Sequence, residues 1–178
     1  MIISQDMLEL LRTVLNSPDL QLYAKADWGS DNPDYRRLLH AERDHLLSQS
    51  SEKLYSSLSH TKGMGFLAIS SKPLGVDVEV VSRVQEHVIA RVSNSEELGN
   101  APSGSSLWTA KEAAFKATRE YNQPSVISDI SIGAWRNIES QVETFSLLSH
   151  TTHGISSERG GVCFKISDYC FGIFVAHS

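Results

Sequence analysis

The stretch LGVDVEVV, residues 74–81, sets two carboxylates, Asp77 and Glu79, among valines. Val76, Val78 and Val80 alternate with them. In a strand of period two the valines face one side and both acids the other, roughly 7 Å apart along the chain. Such a face either meets water as the polar side of a half-buried strand or offers hard oxygen ligands to a divalent cation. The second role needs a third ligand and a substrate for the ion to act upon. LWTAKEAAFKAT, residues 107–118, has helical spacing, with Glu112 and Lys116 four apart on one face and Lys111 just before them. A structural role competes here too. Thr109 to Glu112 fits the S/T-x-x-E capping box, and Glu112 with Lys116 is an ordinary i,i+4 ion pair worth about 0.2–0.5 kcal/mol. His60 follows a short strand-like run, where a histidine is commonly a surface or capping group.

The elements that must position these groups alternate in type. Ser4 caps a first helix whose Met7, Leu8, Leu11, Val14 and Leu15 form one apolar stripe, with Pro18 just past its end. Asn32-Pro33 starts a second helix that buries Leu38, Leu39 and Leu46 and shows Arg36, Arg37 and Arg43 to solvent or to a ligand. The period then changes. YSSLS, MGFLAIS and LGVDVEV are three consecutive strands, with turns at Lys62-Gly63 and Lys72-Pro73. Residues 83–91 return to helical spacing through Val84, Val88 and Ile89, and GNAPSGSS, 99–106, is a small-residue loop ahead of the next helix. After Pro124 the chain is β structure: VISDISIGAW, VETFSLLSH, and GVCFKISDYCFGIFVAH with a turn at Ser167-Asp168. Strands and helices interleave without a regular βαβ rhythm, which predicts an α+β fold with antiparallel sheet.

Composition bounds the partners. A chain of 178 residues that is 40% hydrophobic can bury a real core as one domain or two small lobes. Its formal net charge of −5 argues against a general nucleic-acid binder, so an anionic ligand must be held by local charge. The N-terminal MIISQDMLELL lacks a basic region, and no stretch approaches about 18 uninterrupted apolar residues. These features predict neither a signal peptide nor a membrane span, and a cytoplasmic location. Cys163 and Cys170 lie in an apolar segment without CxxC spacing, which suits reduced core thiols. His150 and His153 in HTTHG sit among loop-forming residues and are not expected to ligate a metal.

GVDVE followed some thirty residues later by WTAKEAAFK resembles the two motifs of the 4′-phosphopantetheinyl transferases, an (I/V)G(I/V)D(I/V)E strand and a (F/W)-(S/T/C)-x-K-E-(A/S)-x-x-K helix. SLSHTKGMGFLAIS is similar to the Ser-His-(Ser/Thr) segment of the larger, surfactin-synthetase-activating type, and IARVSNSEEL to its IAxRxFSxxE element. The similarity runs from about residue 58 to 117. One such motif is weak evidence, whereas several in the right order with compatible spacing are strong.

The resemblance implies transfer of the phosphopantetheine arm of coenzyme A to a serine of an apo acyl- or peptidyl-carrier protein, releasing adenosine 3′,5′-bisphosphate. Attack on a charged pyrophosphate needs neutralised charge and a deprotonated nucleophile. Mg2+, with Mn2+ as an alternative, suits the first task. By carry-over, Asp77, Glu79 and Glu112 form the metal site, Glu79 in part through water. Lys116 grips the pyrophosphate, Ser59 and His60 contact coenzyme A phosphates, and Lys111 contacts phosphate or orients Glu112. The base is Glu112 or a metal-bound water, two alternatives that the sequence leaves open. Where the larger type carries a Gly-Lys-Pro element this chain has SQSSEKLYSSLSH, in which Lys53 stands in for the lysine, and Arg36, Arg37 and Arg43 are candidates for the remaining phosphate grip. The glycine usual after the KEAxxK helix is replaced by ATREYNQP.

The implied architecture is a monomeric pseudo-dimer of two related α+β lobes. A shortened N-terminal lobe spans 1–72 and a C-terminal lobe with the metal-binding motifs spans 73–178. The site lies between them. A non-catalytic carrier-protein or coenzyme-A-binding module, and a magnesium-dependent phosphohydrolase releasing free phosphopantetheine, are the competing functions.

Overall fold

The computed structural model describes residues 2–121, 123–148 and 160–177. Helix α1 (Gln5–Val14) is capped by Ser4, whose side chain accepts from the Met7 N–H at 3.2 Å, and it buries Leu11. Strand β1 (Gln21–Lys25) follows, then α2 (Tyr35–Ser48), β2 (Tyr55–Thr61), β3 (Met64–Ser70) and β4 (Leu74–Val80). The second half continues with α3 (Glu86–Val92), α4 (Ser95–Asn100), α5 (Gly104–Ala117), β5 (Ile132–Glu139), β6 (Val142–Leu147), β7 (Gly161–Ile166) and β8 (Tyr169–Val175).

The fold is α+β, with two antiparallel sheets and packed helices. One sheet has the order β1-β3-β2 and the other β4-β8-β7-β6-β5. The β2–β3 hairpin turns at Gly63, whose φ of +71° is the left-handed conformation that glycine adopts without steric cost. The two sheets share a core. Leu22, Ala24, Phe66 and Ala68 of the first meet Val76, Val78, Phe171 and Ile173 of the second, with Leu11 and Leu15 joining them, and the Phe66 and Phe171 rings cross edge-on at 5.1 Å. Helix α2 covers the outer face of the smaller sheet through Leu39 against Leu67 and Ile69. Helix α5 covers the outer face of the larger one through Leu107, Ala110, Ala113 and Ala114 against Ile132, Phe145 and Phe174. Residues 1–72 and 73–178 thus contribute one sheet each, joined at Lys72-Pro73, and their apolar inner faces are one continuous cluster.

Three local expectations are corrected. Helix α5 begins at Gly104, with Ser103 as its N-cap accepting from the Ser106 N–H, so part of the expected 99–106 loop is helical and Thr109 lies in the helix interior. A helix of that length buries its whole small-residue face on the sheet, which outweighs the glycine at its start. Leu38, expected in the core, is 37% exposed, because α2 turns Leu39 inward instead. Strand β1 was not expected from the sequence; its five residues alternate in burial and owe their conformation to pairing with β3. Cys163 and Cys170 are free and buried, as expected. His150 and His153 lie outside the described residues. No described helix is long and apolar enough to cross a membrane.

Candidate active site

The acid-bearing face of β4 is turned toward α5, not toward water. Gly75 shares that face with Asp77 and Glu79, and a Cβ there would lie 1.9 Å from the Ala113 carbonyl oxygen. Gly172 on β8 is equally tight, its hypothetical Cβ lying 2.6 Å from the Thr109 carbonyl oxygen. The two glycines let the helix lie close on the sheet, and this close approach carries Glu112 and Lys116 down onto Asp77.

Lys116 is the hub. Its Nζ donates to Asp77 Oδ1 at 2.7 Å, to the Val76 carbonyl at 3.1 Å and to Ser59 Oγ at 3.4 Å, and it stands 3.8 Å from Glu112 Oε2. Asp77 is 4% exposed; its Oδ1 also accepts from Ser59 Oγ at 2.7 Å, while its Oδ2 is buried without a hydrogen-bond partner. Glu79 Oε2 accepts from Thr61 Oγ1 at 3.1 Å. Glu79 and Glu112 each lie in the field of Asp77. Burial, and then the Asp77 charge, raise the Glu79 pKa above the ordinary carboxylate range, with Thr61, Trp108 and Arg83 opposing. Burial also raises Glu112, where Lys116 pulls the other way and Asp77 adds to the rise.

His60 is on the opposite face of β2 from Ser59, with its ring edge-on to Tyr35 at 4.1 Å between centroids. Its Nδ1 is buried without a partner, and its pKa is lowered by burial and by the nearby Arg36 and Lys116 charges, against the pull of Asp77. Arg36, at the start of α2, bonds the Tyr35 hydroxyl at 3.1 Å, and the Arg36 and Lys116 charges both act on the His60 ring at one end of the seam. Arg37 is exposed and 3.5 Å from Asp34, and Arg43 pairs with Asp44 at 2.7 Å. Lys53 lies over the Tyr55 ring at the other end of β2. Near that end a 430 Å³ cavity is lined by Tyr55, Lys72, Pro73, Tyr121 and His177.

Lys111 is corrected. It is fully buried on the far side of the helix, where Nζ bonds Glu97 Oε1 at 2.7 Å and the Ile130 carbonyl, so it reaches neither a phosphate nor Glu112. The capping-box role for Glu112 is also removed, since Thr109 Oγ1 bonds back to the Ser105 carbonyl at 3.0 Å in mid-helix. The capping box in this region belongs to Asn94 and Glu97 of α4. Sequence reasoning missed Glu97 although Asn94-x-x-Glu97 carries the signature. It also gave no role to Thr61 and Trp108, which stand beside Glu79, although both fall within the Ser-His-Thr and WTAKEAAFK segments.

Among the described residues, no group of three or more His, Cys, Asp or Glu side chains forms a ready-made metal site. Magnesium does not require one, because it keeps several waters and uses one or two carboxylates together with substrate phosphate oxygens. The buried unpaired Asp77 Oδ2, the hard oxygen chemistry of Asp77, Glu79 and Glu112, and the adjoining cations fit such an ion and a phosphate-bearing ligand. No protein-family model and no curated protein matches this chain.

Proposed function

We propose that the chain is a magnesium-dependent 4′-phosphopantetheinyl transferase that loads an apo acyl- or peptidyl-carrier protein from coenzyme A. The observation that carries this reading is the meeting of Asp77 on β4 with Glu112 and Lys116 on α5, with Glu79 beside Asp77, along the seam where β2 supplies Ser59 and Thr61. These are the residues of the two motifs and of the Ser-His-Thr segment that resemble that family, so three separate stretches supply one cluster.

In this reading Asp77, Glu79 and Glu112 hold the Mg2+, which when bound neutralises charge on the pyrophosphate undergoing attack. Lys116 binds and orients a pyrophosphate oxygen. Ser59 fixes Asp77 through its hydroxyl, and Thr61 does the same for Glu79. His60 and Arg36 bind the peripheral phosphate. Glu112, half-buried and with its pKa raised, is suited to take the proton of the carrier serine. The pairing of a small and a larger sheet, each from one half of the chain, fits a monomeric pseudo-dimer. Light scattering at micromolar concentration tests that state, and a stable trimer contradicts it.

The decisive experiment is the mass of an apo-carrier protein after incubation with coenzyme A, Mg2+ and this chain. Transfer adds about 340 Da and requires the metal. An unmodified carrier together with free phosphopantetheine indicates a phosphohydrolase. Binding of coenzyme A with neither product indicates a non-catalytic module.

A further inference from the structure

We propose that Lys116 is an internal stand-in for the divalent cation, occupying the carboxylates when no metal is bound and leaving them when one binds. The inference rests on the transferase reading above. The ammonium is surrounded by oxygen: Asp77 Oδ1 at 2.7 Å, the Val76 carbonyl at 3.1 Å, Ser59 Oγ at 3.4 Å and Glu112 Oε2 at 3.8 Å. These are the oxygen donors that a hard cation takes, and a lysine head with three N–H groups fills the same role as a point charge. The pair is enclosed, with the Lys116 side chain 15% and that of Asp77 5% exposed. Without a cation between them, Asp77 and Glu112 would face each other as like charges in a poorly solvated seam.

The neutralisation is incomplete. Glu79 and Glu112 both lie in the field of Asp77, and one ammonium among three carboxylates leaves an excess of negative charge beside the exposed Arg83 and Arg119. Asp77 Oδ2 receives nothing from Lys116 or from any hydroxyl. An acceptor left buried and unpaired is costly, and a divalent ion is able to use it where the lysine does not. Lys116 has a flexible four-carbon stem rooted on α5, so its head can leave Asp77 without movement of the helix. Metal and ammonium therefore compete for one anionic site. A phosphate ligand that holds the displaced ammonium removes the competition, and by linkage each ligand then favours the other.

Calorimetric titration of MgCl2 and MnCl2 into wild type, Lys116→Met and Lys72→Met, all without coenzyme A, tests the competition. Lys116→Met is expected to bind metal tighter than wild type by about tenfold or more, with Lys72→Met unchanged. Equal affinities for wild type and Lys116→Met overturn the inference, and so does an equal gain in Lys72→Met, which marks a general effect of net charge. If Lys116→Met melts early, Lys116→Gln is judged by the same comparison. Equal affinities together with magnesium-dependent carrier loading by wild type sink this inference alone. Absence of both metal binding and loading sinks the transferase reading with it.

Discussion

Ser59 on β2 donates to Asp77 on β4 at 2.7 Å, and Thr61 repeats the contact to Glu79 with the same offset of 18 positions. Equal offsets mean that the two strands run side by side in the same direction, although they belong to different sheets. Ser57 begins the series by accepting from the Val76 N–H at 3.0 Å. Each acid of the DxE triplet is therefore held by a hydroxyl from the other half of the chain. The contacts that hold the acid site are thus also contacts between the two sheets.

Gly75→Ala is expected to separate α5 from β4. The new Cβ would sit 1.9 Å from a backbone oxygen that cannot yield without the helix moving. Overpacking of this kind costs about 1–3 kcal/mol. Displacement of Glu112 and Lys116 by about 1 Å is expected to reduce carrier loading by about a hundredfold. Urea denaturation and a loading assay on the same preparation check both; unchanged loading would show that the helix approach is not needed.

Lys111→Met is expected to act on stability. It leaves Glu97 buried without its cation, a loss of about 3–5 kcal/mol for a broken buried pair, while Glu97 keeps its bonds to the Asn94 and Ile132 N–H groups. Coenzyme A affinity of the folded fraction should be unchanged. A variant with a normal melting curve and collapsed affinity would return Lys111 to the ligand site.

Glu112→Gln is expected to cut carrier loading by two or more orders of magnitude while leaving the fold intact, since Glu112 caps nothing. The pH dependence has a definite sign. A carboxyl whose folded pKa is raised contributes stability that is present below its unfolded pKa, near 4.5, and lost as pH rises through the folded value. In metal-free protein the glutamine variant should therefore gain melting temperature relative to wild type as pH is raised from 4 to 8. A variant that loses melting temperature relative to wild type as pH rises would contradict the burial argument.

His60 leads to the opposite sign. Its lowered pKa keeps the imidazole neutral in the free protein, so the stability linked to it is present above pH about 6.5 and declines as pH falls through the lower folded value. A phosphate beside the ring favours the imidazolium, so binding should take up a proton and tighten as pH drops from 7.5 to 6. Calorimetry of coenzyme A in two buffers of different ionisation enthalpy measures that uptake, and His60→Ala should abolish it. The same uptake in the variant would assign the proton to another group.

Much of this was legible in the sequence. The alternation in LGVDVEV placed Asp77 and Glu79 on one face of a strand, helical spacing placed Glu112 and Lys116 together, Ser4 marked the start of α1, and Lys62-Gly63 and Ser167-Asp168 marked the β2–β3 and β7–β8 turns. Those features are local, set by backbone periodicity and turn sterics, and so are written in neighbouring residues. The partner of each face was not. Nothing local says that the acid face meets a helix, that Ser59 and Thr61 align with Asp77 and Glu79, or that Lys111 turns away to Glu97 while Lys116 turns in. On a helix, residues five apart point in different directions, and which direction is the core depends on the sheet that the helix covers. Strand β1 shows the same limit: QLYAK is too short and mixed to declare itself, and only the open edge of β3 makes it a strand. The sequence alone determined which residue types share a face, and the packing of α5 and β2 on β4 decided which of those faces became a site.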